Sequence, residues 1–246
     1  MTVKTICIIP ARGGSKGLPK KNVRRLAGRP LVHWPIKAAL DSGVIDDILV
    51  TTDDEDIARC AREAGADVPF LRDPALAQDE TTTEATLQDA LLRYEAHRTV
   101  RYDIAVFLTC TDVFRDPLWI TEAVNVLREN SDIESAFSAC ATHKNFWQKT
   151  GDHQWSRVLP WMRVYGNRQT REKTYREDTG LACASRAQLW REGRRIGDRV
   201  HLIVNDRSET AIDIHTEYDL FLAEQTIAYF KQTDPQRVRL FLEGTE

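Results

Sequence analysis

Long apolar runs are missing from this 246-residue sequence. None reaches the roughly 20 residues that a membrane-spanning helix needs, so no membrane partner is expected. The opening stretch from Met1 to Ile6 lacks the apolar core and small-residue cleavage site of a signal peptide. A cytoplasmic location is therefore expected. Cysteine is scarce: Cys7, Cys60, Cys110, Cys140 and Cys183 are widely spaced, odd in number and form no CxxC pair. That pattern favours buried small hydrophobes over disulfides or zinc. A large charge excess is also absent. The net charge of −3 gives no reason to expect a nucleic-acid partner, although a local basic cluster can still bind a phosphorylated small molecule. No repeat, low-complexity tract or linker interrupts the chain.

What is present is an α/β rhythm. Hydrophobic content of 42% and charged content of 29% suit a globular chain long enough for one large domain. Apolar, strand-like runs occur at 6–10, 47–52, 103–109 and 135–140. Helical spacing covers 30–39, 53–64, 81–94 and 116–128, with Ser42-Gly43 and Gly65 as stops. The rhythm breaks over 143–176, a stretch rich in Trp, Arg, Lys, Gln and Gly and too long for an ordinary loop. An irregular or β-rich excursion is expected there, acting as a lid or an oligomer contact. Strand-like runs return at 180–185 and 201–204, and a final helix is expected over 216–230. The alternation predicts a Rossmann-like domain with a mostly parallel sheet covered on both faces. Ligands in such sheets sit beyond the carboxyl ends of the strands.

Directly after the first strand comes Ala11-Arg12-Gly13-Gly14-Ser15-Lys16-Gly17-Leu18-Pro19-Lys20-Lys21-Asn22. Glycines let backbone N–H groups approach phosphate oxygens, and Arg12, Lys16, Lys20 and Lys21 add cationic charge. The competing reading is a solvated turn. The loop is neither GxxxxGK[ST] nor GxGxxG. The missing GxGxxG argues against a dehydrogenase using Asp53 as its ribose ligand.

The loop, with Pro19-Lys20-Lys21-Asn22, resembles the signature of the CMP-sugar synthetases, the acylneuraminate cytidylyltransferases above all. The resemblance also covers Val50-Thr51-Thr52-Asp53-Asp54, Arg72 to Asp79, and Ile212 to Glu217. It implies a nucleotidyltransferase in which the anomeric hydroxyl of an acidic nonulosonic sugar attacks the α-phosphorus of CTP and pyrophosphate leaves. Mg²⁺ is the implied cofactor, and a homodimer the implied assembly, with the 143–176 excursion completing the neighbour's site. A cytidylyltransferase for an octulosonate or phosphonate, and a non-catalytic CTP-binding protein, are the competing readings.

The resemblance also implies roles. Arg12, Lys21 and Asp213 are the expected catalytic residues. Ala11, Arg12, Gly13, Ser15, Lys16, Lys21, Asn22, Arg72, Thr81 and Thr83 are the expected nucleotide contacts, with Asn22 reading the cytosine edge. Thr81 and Thr83 have an alternative role as helix caps. Asp213 supplies hard oxygen to the metal. His215 stands where the family has a second aspartate, and is expected to bind the metal directly, through water, or not at all. On the acceptor side, Thr109, Thr111, Arg168 and Gln169 are expected to touch the sugar. Thr109 departs from the glutamine usual in the family, which leaves the sugar's identity open. Asp112 is expected either to contact substrate or to organise its loop.

Overall fold

The computed structural model describes residues 3–167 and 169–242. The first apolar run forms β1, Thr5–Pro10. A short hairpin follows, β2 (Arg25–Leu26) and β3 (Arg29–Pro30), turned at Ala27 and Gly28, both in the left-handed region. Helix α1, His33–Ser42, stops at Gly43, whose φ is 68°. Strand β4, Asp47–Thr51, leads to α2, Glu55–Glu63. Asp54 caps α2 by accepting the Ile57 N–H at 3.0 Å, and Glu55 and Asp56 occupy the first turn, where the helix dipole favours acids.

Helix α3, Thr83–Arg98, is capped by the Thr82 side chain, so neither Thr81 nor Thr83 is the cap. Strand β5, Ile104–Phe107, precedes α4, Pro117–Glu129, which begins with Asp116 as cap and proline in the first turn. Strand β6 is Ser135–Thr142. The excursion contributes β7 (Trp147–Gly151) and β8 (Gln154–Arg157), then β9 (Thr174–Glu177). The chain closes with β10 (Cys183–Arg186), α5 (Ala187–Arg191), β11 (Val200–Asn205) and α6 (Glu217–Thr233). A capping box between Thr216 and Asp219 starts α6.

The main sheet runs β11-β6-β10-β5-β1-β4, with β9 also paired to β6. Strands β11, β6, β5, β1 and β4 share one direction, as expected, while β9 and β10 are reversed. The two reversed strands form one interrupted path along β6. At the break, the Asp178 N–H bonds to the Ser138 carbonyl, and the Ser138 N–H bonds to Ala182 (both 2.9 Å). Helices cover both faces. Cys7 and Ile9 of β1 pack in a layer with α1, α2, α4 and α6, whereas Ile6 and Ile8 pack with α3 and α5. This is the period of two that a strand imposes.

The stretch 143–176 is β-rich, as expected. The β7–β8 hairpin stands apart from the main sheet. It exposes Trp147 and Trp155, while Tyr165 and Tyr175 are exposed elsewhere on the excursion, and the Arg157 guanidinium lies 4.3 Å from the Trp147 ring centroid. Among the described residues, no helix is long and apolar enough to cross a membrane.

Candidate active site

The turns that follow β1, β5 and β11 meet at one edge of the sheet and form a cleft with two adjoining compartments. The first, of about 520 Å³, is lined by Arg12, Ser15, Lys16, Lys21, Asn22 and Arg72, among others. The second, of about 530 Å³, is lined by Asp112, Arg176, Asp178, Arg195 and Asp213, among others. Thr83, Phe107, Thr109, Thr111 and His215 line both. These shared residues mark where two ligands would meet.

The phosphate loop is built from its neighbours. The Ala11 N–H bonds to the Thr51 carbonyl at 3.0 Å, and the Gly13 N–H bonds to Asp53 Oδ1 at 2.9 Å. A Cβ on Gly13 would crowd the Asp54 side chain at 2.9 Å. Ala11 and Gly13 therefore hold the loop in place and do not line the cleft. Gly17 is required by close approach: a Cβ there would stand 2.7 Å from the His215 carbonyl oxygen. Lys20 sits in the left-handed region, with φ 53°, at the turn into Lys21.

Four cations line the first compartment: Arg12, Lys16, Lys21 and Arg72. Asp79, absent from the sequence-based set, pairs with two of them. Its Oδ1 lies 2.8 Å from Arg12 Nη2, and its Oδ2 pairs with Lys16. The two cations hold the Asp79 carboxyl below its usual range. Arg72 is buried. Its Nε donates to Thr51 Oγ1 at 3.2 Å, and its Nη2 donates to the Thr51 carbonyl. Burial pushes its pKa down to about 10. Arg72 thus ties the 72–82 segment to β4 while facing the cleft. Asn22 is buried, with its amide nitrogen on the Arg12 carbonyl at 2.8 Å. Its side-chain oxygen is left to accept from a ligand. Thr81 bonds back to the Ala75 carbonyl at 3.2 Å, and Thr83 opens α3 at the junction of the compartments.

Lys21, Asp213 and His215 come together. His215 Nε2 lies 2.8 Å from Asp213 Oδ2, and its Nδ1 lies 3.5 Å from Lys21 Nζ. Burial lowers the Lys21 pKa, while the carboxylate of Asp213 acts against that. Both His215 ring nitrogens thus already face partners. These contacts make His215 one neighbour of Asp213 at the site. Asp213 keeps hard carboxylate oxygens, the donor type magnesium takes.

The 109–115 turn separates the compartments from the core. Arg115, fully within the protein, donates to the carbonyls of Leu181 (3.1 Å), Thr109 (2.6 Å) and Gly180 (2.9 Å). It is an internal clamp. Ile214 N–H bonds to the Thr111 carbonyl at 3.2 Å, which fixes the turn against the segment carrying Asp213. Gln169 is exposed and lines neither compartment of its own chain. Arg168 lies outside the described residues. Arg176 and Arg195, in contrast, line the second compartment, and no sequence motif singled out Arg195.

The family model for cytidylyltransferases matches residues 6–243. The chain belongs to the cytidylyltransferase family. It is 32% identical to the CMP-N,N'-diacetyllegionaminic acid synthase of Legionella pneumophila over 91% of this chain and 96% of that protein. It is 31% identical to N-acylneuraminate cytidylyltransferase A of Danio rerio over 96% of this chain, and spans 54% of that longer relative. Its fold matches that of CMP:2-keto-3-deoxy-manno-octonic acid synthetase complexed with CTP, with a TM-score of 0.65 at 15% identity over 92% of this chain and 99% of that one.

For a cytidylyltransferase, the Asp79 pairing has a consequence. A triphosphate that takes Arg12 and Lys16 must displace Asp79. Asp79→Asn is therefore expected to tighten CTP binding about threefold, the scale of exposed ion pairs. Titration calorimetry checks this, and weaker binding would instead mark Asp79 as a support that pre-positions the two cations.

Proposed function

We propose that this protein transfers CMP from CTP to the anomeric hydroxyl of an acidic nonulosonic sugar and releases pyrophosphate. The observation that carries the reading is the cleft itself. A compartment lined by Arg12, Lys16, Lys21 and Arg72 adjoins a second polar compartment across Thr109 and Thr111. The first suits a triphosphate, whose charge calls for several cations. The second suits a hydroxyl-rich acceptor, with Arg176 and Arg195 available to a carboxylate. Both relatives described above are named for nonulosonic sugars, which supports that acceptor class.

Lys21 and Arg12 act on the reacting phosphate as fixed positive charge, placed before the reaction begins. Asn22 orients the base through its side-chain oxygen, and the backbone near Ser15 steadies the phosphates. Asp213 would hold Mg²⁺, whose charge offsets that of the phosphate oxygens. Among the described residues, no three His, Cys, Asp or Glu side chains converge on one ion. Magnesium sites of this type draw their remaining ligands from substrate phosphates and water. His215 orients Asp213 and borders Lys21.

The reading includes a homodimer. Arg168 and Gln169 sit on the excursion that exposes Trp147 and Trp155. In the proposed assembly a second copy covers these aromatics, and the excursion completes the neighbour's acceptor compartment. Sedimentation at working concentration is expected to give a dimer, and a fully active monomer would contradict this. A cytoplasmic setting fits the five free thiols. The test of the function is CTP-dependent pyrophosphate release with Mg²⁺ across sialic, legionaminic, pseudaminic and octulosonic acids. Release is expected with a nonulosonic acid and with no neutral sugar. Release with the octulosonic acid alone would overturn the acceptor class.

A further inference from the structure

Asp112 lies on the 109–115 turn and lines the second compartment, beside the Thr109 and Thr111 junction. Its Oδ2 accepts from the Thr109 hydroxyl at 2.6 Å, and its backbone N–H donates to Thr109 Oγ1 at 3.2 Å. Among the described residues, Oδ1 carries no hydrogen bond or ion pair. The protein makes room for this carboxylate. A Cβ on Gly180 would collide with Asp112 Oδ2 and stand 2.8 Å from Thr109 Oγ1. Gly180 has no left-handed φ to explain it, so space for Asp112 is what the glycine supplies. The interruption between β9 and β10 is what puts Gly180 there.

We infer that Asp112 is the general base of the transfer, taking the proton from the acceptor hydroxyl as it attacks the α-phosphorus. This rests on the function proposed above. The new bond joins the hydroxyl oxygen to the α-phosphorus. The bond from the α-phosphorus to the oxygen bridging to the β-phosphate breaks, and pyrophosphate leaves with that electron pair. The hydroxyl proton passes to Asp112 Oδ1 and then to solvent. The other acid–base groups lining this compartment are engaged: Asp178 pairs with Arg176 at 2.7 Å, and Glu177 with Arg195 at 3.8 Å. Asp213 and His215 are paired with each other at 2.8 Å, and His215 also faces Lys21. The charged groups acting on Asp112 are Asp213, Asp178 and Arg115, with Lys21 and Arg176 close enough to feel its charge. Burial raises its pKa, with Asp213 and Asp178 adding to that against the Thr109 hydrogen bond and Arg115. A carboxyl raised in this way is a better proton acceptor.

The test compares wild type, Asp112→Asn and Asp112→Ala in the pyrophosphate-release assay, with CTP affinity measured by calorimetry. Asp112→Asn is expected to lower kcat about 10²–10⁴-fold, the contribution typical of general-base catalysis, with CTP affinity within threefold of wild type. Sodium formate is expected to restore part of the Asp112→Ala turnover, because a small carboxylate can enter the space left behind. A merely structural role would not respond to formate. Asp112→Asn turnover within threefold of wild type, or CTP binding lost in step with turnover, would overturn the assignment while leaving the proposed function standing. Wild type inert toward every acidic sugar would overturn both.

Discussion

Lys21→Ala is expected to lower kcat about 10²–10³-fold, as removal of one pre-placed transition-state donor typically does, while the fold persists. Lys21 is part of a short 3-10 turn, Lys21–Val23, whose backbone is held without its side chain: Lys21 N–H to Leu18 (3.1 Å) and Arg24 N–H to the Lys21 carbonyl (2.9 Å). Its Nζ reaches the junction of the two compartments and meets His215 Nδ1 at 3.5 Å. Burial works against its charge, and Asp213 works in favour of it. A charge partly stripped of water acts more strongly on a phosphate than one in bulk solvent. Removing it costs stabilisation of negative charge at the point of transfer. Turnover assays with circular dichroism as the folding control decide the matter, and an unchanged kcat would remove Lys21 from the catalytic role.

Arg115→Met is expected to cost about 3 kcal/mol of stability, because buried acceptors left without partners cost roughly 1–3 kcal/mol each. The guanidinium bonds to Leu181, Thr109 and Gly180. Gly180 keeps the Thr109 N–H at 3.1 Å, so the Thr109 and Leu181 carbonyls bear the loss. Part of the cost is returned, since burial of the guanidinium is itself unfavourable and lowers its pKa to about 10. For a chain of this length, the melting temperature is expected to fall by about 10 °C. Activity should fall as well, because the same bonds set the turn that carries Thr111 and Asp112. Calorimetric melting checks the size of the effect. A fall under 2 °C would show that the turn is held by its other contacts, Ile214 N–H on the Thr111 carbonyl foremost.

Much of the fold could be read from the chain because its punctuation is local. Gly43 and Gly65 end helices with left-handed φ values, Asp54 and Asp116 cap α2 and α4, and β1 hands over directly to a glycine-rich basic loop. The reversal of β10 had no such mark. A short buried strand is apolar whichever way it runs, so direction depends on the route of the chain through the excursion. The site divided along the same line. Arg12, Lys21, Asn22 and Arg72 converge as the motifs implied, since each motif carries its own charge or amide. Asp79 and Arg195 were not picked out because their roles come from contacts across the fold: Asp79 with Arg12 and Lys16, Arg195 with Thr179 and the Phe107 ring. Ala11 and Gly13 brace the loop through backbone bonds to Thr51 and Asp53, contacts that no local motif marks. The bridge that the His215 ring makes between Asp213 and Lys21 also depends on contacts across the fold.

In the proposed reaction, the α-phosphate of CTP ends on an acidic sugar. Mass spectrometry of the products from CTP, Mg²⁺ and a nonulosonic acid tests it directly. The expected result is a CMP ester of the sugar formed in equal amount with pyrophosphate, and only when the sugar is present. Free CMP with no ester, or an ester formed equally well with a neutral sugar, would contradict it.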